Sequence, residues 1–103
     1  DLVYVDGSHA YSDFVEDLRL AADLVKPGGL ICGDDLEVQV GEVDEANARS
    51  KMEWDWITNA QTNVGFHPGI TLGVSDFFGR KISAYAGFWV QQKSLNGWTD
   101  VLI

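Results

Sequence analysis

A single cysteine, Cys32, excludes an internal disulfide framework. Bases are scarce too: seven Lys and Arg stand against 16 Asp and Glu, a formal net charge of −9. Phosphate backbones are repelled by such a surface, and the only adjacent basic pair is Arg80-Lys81, which argues against nucleic acid as a partner. No apolar run approaches the ~18 residues a membrane span needs, and no basic, apolar leader of the secretory kind opens the chain. These absences predict a reducing, cytoplasmic setting with no membrane partner. The initiator Met is missing as well. The chain opens directly on Asp1-Leu2-Val3-Tyr4-Val5, which predicts a start inside a fold. What is present is a globular composition: 46% hydrophobic residues, four Trp, five Phe and three Tyr in 103 positions. A disordered chain lacks such apolar content, and this length allows one domain at most.

The acid is uneven. Residues 1–55 hold 14 acids and 4 bases, whereas 56–103 hold 2 acids and 3 bases. Most of the excess reads as solvated helix face. Asp6, Asp34 and Asp35 differ, because they adjoin apolar strand sequence.

Leu2 to Val5 is an uninterrupted apolar run, the pattern of a parallel strand buried on both faces. Ser12 is the expected N-cap of a helix in which Phe14, Leu18, Ala21 and Val25 share one face. Lys26-Pro27-Gly28-Gly29 stops that helix, and Leu30-Ile31-Cys32 forms a second strand, closed by Gly33-Asp34-Asp35. Strand, helix, turn and strand within 35 residues predict a βαβ unit. Residues 43–60 have an imperfect helical period, and 61–66 look like loop. His67-Pro68-Gly69 introduces a helix carrying Ile70, Val74, Phe77 and Phe78, ended by Gly79. Two antiparallel strands follow, about 81–86 and 87–93, reversing at Ala86-Gly87. Asn96-Gly97 is a further turn signal, and the tail through Val101-Leu102-Ile103 offers an edge strand.

Ligands of open α/β sheets bind beyond the carboxyl ends of the strands. Adjacent strands ~4.8 Å apart would bring Asp6, Asp34 and Asp35 to one edge. Three such anions suit a hard ion, Mg²⁺ before Ca²⁺ or Mn²⁺. Consecutive residues face opposite sides of a strand, so Asp34 and Asp35 share an ion only where the chain turns, a turn that Gly33 allows. The alternative is that one of the pair caps the next segment or faces solvent. His9, three residues beyond Asp6, is either a base active near neutral pH or a surface loop residue. His67 reads as a helix entry and Cys32 as a buried small hydrophobe. Trp54 and Trp56 fit core, lid or substrate platform equally.

Leu2-Val3-Tyr4-Val5-Asp6-Gly7-Ser8-His9-Ala10-Tyr11, followed by Lys26-Pro27-Gly28-Gly29-Leu30-Ile31-Cys32-Gly33-Asp34-Asp35, resembles the C-terminal half of a class I S-adenosylmethionine-dependent methyltransferase. The nearest branch has an Asp-Gly-x-His-x-Tyr loop and a Gly-Asp-Asp strand end, and includes macrolide-sugar O-methyltransferases and cephalosporin-hydroxylase-like proteins. The likeness is specific over 1–35 and looser over 67–78 and 81–93. It implies an α/β fold: the C-terminal half of a Rossmann-like sheet, with the family's fourth and fifth strands parallel and a terminal antiparallel hairpin from its sixth and seventh. Residues 1–103 are then one partial domain without the N-terminal cofactor-binding half, and no cofactor-binding residue can be carried over.

The resemblance further implies a divalent cation, Mg²⁺ or similar, on Asp6, Asp34 and Asp35. Asp34 stands where several relatives have Glu, one methylene longer. His9 would deprotonate a small-molecule hydroxyl as methyl passes to it from S-adenosylmethionine. The exposed edge of the first strand would meet a missing half or a second copy of the chain. Two other readings compete: a non-catalytic piece that self-associates through that edge, and a metal-dependent hydrolase using the same carboxylates on water. The parent protein is expected to be the enzyme, with this chain alone inactive.

Overall fold

A computed structural model describes residues 1–102. The expected βαβ unit is present: β1 (Leu2–Val5), α1 (Tyr11–Leu24) and β2 (Leu30–Leu36), with β1 and β2 parallel and Tyr4 opposite Cys32. Phe14, Leu18 and Ala21 turn the buried face of α1 toward the sheet, and Val25 caps its end. Each such large side chain contributes about 1.5–3 kcal/mol through burial.

Two local expectations change here. Ser12 does not cap α1. The helix begins two residues earlier, with Ala10 as N-cap, and the Ser12 amide and hydroxyl donate instead to the Glu53 carboxylate at 3.1 and 2.8 Å. A distant side chain thus satisfies an orphan donor that a local one was expected to serve. Nor is β1 buried on both faces. Val3 and Val5 pack on the core, while Leu2 and Tyr4 are exposed.

The remaining elements are a 3₁₀ turn (Val40–Glu42), α2 (Glu45–Ser50), β3 (Ile57–Asn59), β4 (Val64–Phe66), α3 (Pro68–Phe78), β5 (Ala84–Tyr85), β6 (Gly87–Ser94) and β7 (Gly97–Asp100). The long helix read over 43–60 is only six residues. Asp44 caps it by accepting from the Asn47 amide, and the chain leaves helical geometry at Lys51. Ile57 to Phe66 then forms a two-stranded hairpin rather than helix end and loop. Asn63 supplies the positive φ its reversal needs, and the buried Asn59 ties it back to the Asp44 amide and Thr62.

The main sheet runs β1-β2-β6-β5, with β6 antiparallel to both β2 and β5. Ala86 and Gly87, both at positive φ, make the expected reversal, although β5 is only two residues long. β7 pairs with the far stretch of β6, Ser94 opposite Gly97, so the tail does add a strand. Ile103, included in that expectation, lies outside the described residues. The molecule is therefore α/β with a mixed sheet.

One core joins α1, α3 and the sheet through Phe14, Leu18, Ile31, Ile70, Val74 and Trp89. A second gathers Val40, Ala48, Ile57, Phe66 and Leu72 beneath the hairpin. Among the described residues no helix is long and apolar enough to cross a membrane.

Candidate functional site

The two strand ends diverge in what they present. β2 does not stop at Gly33-Asp34-Asp35 but runs through it as a bulge: Gly33 faces Trp89 and Leu36 faces Gly87, one residue more on β2 than on β6. Bulges re-aim side chains. The residue that turns is Asp35, at φ 67°, a conformation an aspartate tolerates. Gly33 has a different task from the turn expected of it. The indole of the fully buried Trp89 lies flat against it, and a Cβ there would fall 2.5 Å from Cζ2.

The bulge swings Asp35 toward the loop after β1. His9 Nε2 lies 3.0 Å from Asp35 Oδ2, and its Nδ1 lies 2.5 Å from Asp55 Oδ1. Partial burial pulls the His9 pKa down, but the hydrogen bonds and charges of Asp55 and Asp35 outweigh it, leaving His9 above the ordinary imidazole value. Asp55 moves the opposite way, held below the usual carboxylate range mainly by its bond to His9.

His67 joins them. It is the N-cap of α3, and its ring centroid lies 4.0 Å from that of His9. Backbone proximity makes this possible, since a Cβ on Gly69 would fall 2.2 Å from the His9 carbonyl oxygen. Glu37, just past β2, holds His67 twice: it accepts from the backbone amide at 3.1 Å and lies 2.8 Å from ring Nδ1. Trp56 meets the same ring edge-on at 4.9 Å. Trp54 stands apart, exposed beneath Lys51.

Of the four residues singled out from sequence, His9 and Asp35 come together. Asp34 follows a different course: its Oδ1 accepts from the Asp35 amide at 2.9 Å, and with Asp35, Glu37 and Gln39 it lines a cleft of about 340 Å³. Asp6 lines another groove, of about 320 Å³, with Tyr4, Asp17 and Leu20. Tyr4 registers all three carboxylates: burial first, then the charges of Asp34, Asp6 and Asp35, raise its phenol pKa.

An ion held by Asp6, Asp34 and Asp35 requires those groups to converge. Among the described residues, the metal-capable cluster with donor atoms within 4.8 Å of one another is His9, Asp35 and His67, and Asp6 and Asp34 stand outside it. Cys32 is buried with its thiol pKa raised by that burial, as a small core residue should be.

His67, expected only as a helix entry, and Asp55 and Glu37, with no role expected, join this cluster. The only available signal for His67 was that the chain has just two histidines. Asp55 and Glu37 were indistinguishable from the other acids around them.

Comparison with known proteins adds one finding. Residues 1–36, the βαβ unit with His9 and Asp35, match the model of a family described as a methyltransferase domain. The match supports reading this segment as part of such a domain. No curated protein and no solved structure matches the chain.

Proposed function

We propose that this chain is part of an S-adenosylmethionine-dependent O-methyltransferase acting on a small-molecule hydroxyl, with His9 as the proton acceptor. The observation that carries the reading is the coincidence of the methyltransferase-domain match over 1–36 with a histidine held between two carboxylates beyond the parallel strand ends. The strand order β1-β2-β6-β5, with β6 reversed, is compatible with the C-terminal half of a Rossmann-like methyltransferase sheet.

S-adenosylmethionine supplies an electrophilic methyl group. The chain's own part is proton handling. Asp55 accepts from Nδ1–H and fixes the ring; once the acceptor displaces Nε2 from Asp35 and the ring is neutral, Nε2 takes the hydroxyl proton as the carbon–oxygen bond forms. Asp35 stabilises the imidazolium that results. Trp56 and the cleft beside Asp34 and Asp35 offer walls for an acceptor. Any metal assistance in this reading runs through Asp35 and not through His9, whose Nε2 must stay free for the proton. A cytoplasmic location accords with the single buried thiol.

The test is transfer of labelled methyl from S-adenosylmethionine to a panel of hydroxylated acceptors. Transfer that falls at least about 100-fold in His9→Gln supports the proposal. Absence of S-adenosylmethionine binding by the whole protein of which this chain is part overturns it.

A second reading, association through the sheet edge, is favoured by one observation. Among the described residues β1 is paired on one side only, and Leu2, Tyr4, Leu20 and Leu24 are all exposed. An apolar edge of this kind is a template for a further strand, from a second copy or from another segment. Sedimentation across a concentration series tests self-association, and a monomer at every concentration removes the second copy as occupant.

A further inference from the structure

We infer that His9, Asp35 and His67 form a binding site for a divalent transition ion of the zinc, cobalt or nickel type, with Asp55 and Glu37 as its outer carboxylates. The three side chains come from separate segments: the loop after β1, the bulge in β2 and the N-cap of α3. Their donor atoms lie within 4.8 Å of one another. His9 Nε2 and Asp35 Oδ2 are 3.0 Å apart. Two ligands at that spacing, each ~2.0–2.1 Å from one ion, subtend an angle of about 94°, close to that of neighbouring octahedral positions.

The outer contacts argue the same way. A metal-binding imidazole characteristically donates its other ring N–H to a carboxylate, which fixes the tautomer and makes the ligating nitrogen more basic. Both rings have that partner here: Asp55 Oδ1 at 2.5 Å from His9 Nδ1, and Glu37 Oε2 at 2.8 Å from His67 Nδ1. When each ring is neutral and donates to its carboxylate, Nε2 is the nitrogen left for an ion. His9 Nε2 already addresses Asp35, so an ion would replace the proton shared between them.

Charge and ligand type select the occupant. Two imidazoles and one carboxylate, flanked by two more carboxylates, form a net anionic, nitrogen-rich set. Such a set favours borderline ions over Mg²⁺ or Ca²⁺, which prefer oxygen. Three protein ligands leave positions open for water or an oxygen ligand. The inference goes beyond the proposed methyl transfer and needs no methyl donor. An ion here takes the Nε2 lone pair that proton acceptance requires, so the two uses of His9 exclude one another.

The test uses the untagged chain, stripped with a chelator, titrated with Co²⁺ alone and followed by visible absorption, and with Zn²⁺ alone by calorimetry. One ion per chain is expected, not displaced by millimolar Mg²⁺. His67→Gln should weaken binding at least about 100-fold, and Glu37→Gln about 10–100-fold. Zn²⁺ should also raise the Tm of the wild type but not of His67→Gln. Glu37→Gln, which leaves the three ligands in place, serves if His67→Gln misfolds. Absence of saturable Co²⁺ binding, wild-type affinity in both variants, or displacement by Mg²⁺ overturns the inference. Ion binding by this chain with no methyl transfer by the whole protein would sink only the functional proposal, and methyl transfer without ion binding only this one.

Discussion

His9 and His67 are the only histidines in the chain, and their rings meet with centroids 4.0 Å apart. One follows a parallel strand and the other opens a helix in the second half. Each is held at Nδ1 by an acid, Asp55 or Glu37, drawn from the stretch between the two motifs.

The Asp55–His9 contact should be visible in the methyl-transfer assay. Asp55→Asn keeps the shape but loses the charge that orients the ring and favours its protonated form. We expect kcat to fall about tenfold or more, with binding of the methyl donor unchanged. Equal kcat in the variant and the wild type would remove Asp55 from proton handling.

Gly33→Ala tests the close approach of Trp89. The indole is fully buried and a Cβ at Gly33 would fall 2.5 Å from its Cζ2, so the added methyl forces repacking. The expected loss is ~1–3 kcal/mol in urea unfolding. Combination with Trp89→Leu should be less than additive, because the smaller side chain relieves the clash.

Asp76 on α3 carries the acid sensitivity. Arg49 grips it with two hydrogen bonds, at 2.7 and 3.0 Å, and Tyr11 donates to it at 2.7 Å. Arg49 above all holds its carboxyl below the usual range, against an opposing effect of burial. A depressed carboxylate pKa gives stability that is present above the unfolded value of about 4 and is lost as pH falls through the folded value. Both partners are about a third exposed. Solvent screening therefore limits the effect of Asp76→Asn to ~1 kcal/mol at neutral pH. The difference from wild type should shrink below about pH 4 in thermal melts. A difference that widens on acidification would contradict the assignment.

Glu53→Ala removes the acceptor for the Ser12 amide and hydroxyl. Loss of an N-terminal cap costs about 1 kcal/mol, and a lowered Tm should report it. Ser12→Ala should cost less, since the backbone amide keeps its acceptor.

The βαβ unit was legible because its signals are local: two apolar runs, one helical face and a Pro-Gly stop. His9 and Asp35 could be singled out on the same grounds. The stretch 36–66 was not legible, because tertiary contacts decide its conformation. Arg49 reaches Asp76 and Asn59 reaches back to the Asp44 amide, while Trp56 lies under Gly65 and against His67. None of these pairings has a periodicity. Gly33 shows the same limit in a single residue: its composition cue was a turn, but the reason for it is an indole that comes from β6.

Glu53 and Asp55 sit two positions apart on one short connection, the first closing the start of α1 and the second seizing His9. An occupant that shifts this connection should alter both contacts together. The Ser12 amide therefore becomes a built-in gauge: its hydrogen-exchange rate, followed residue by residue, should register an occupant of the histidine pair without a label being introduced.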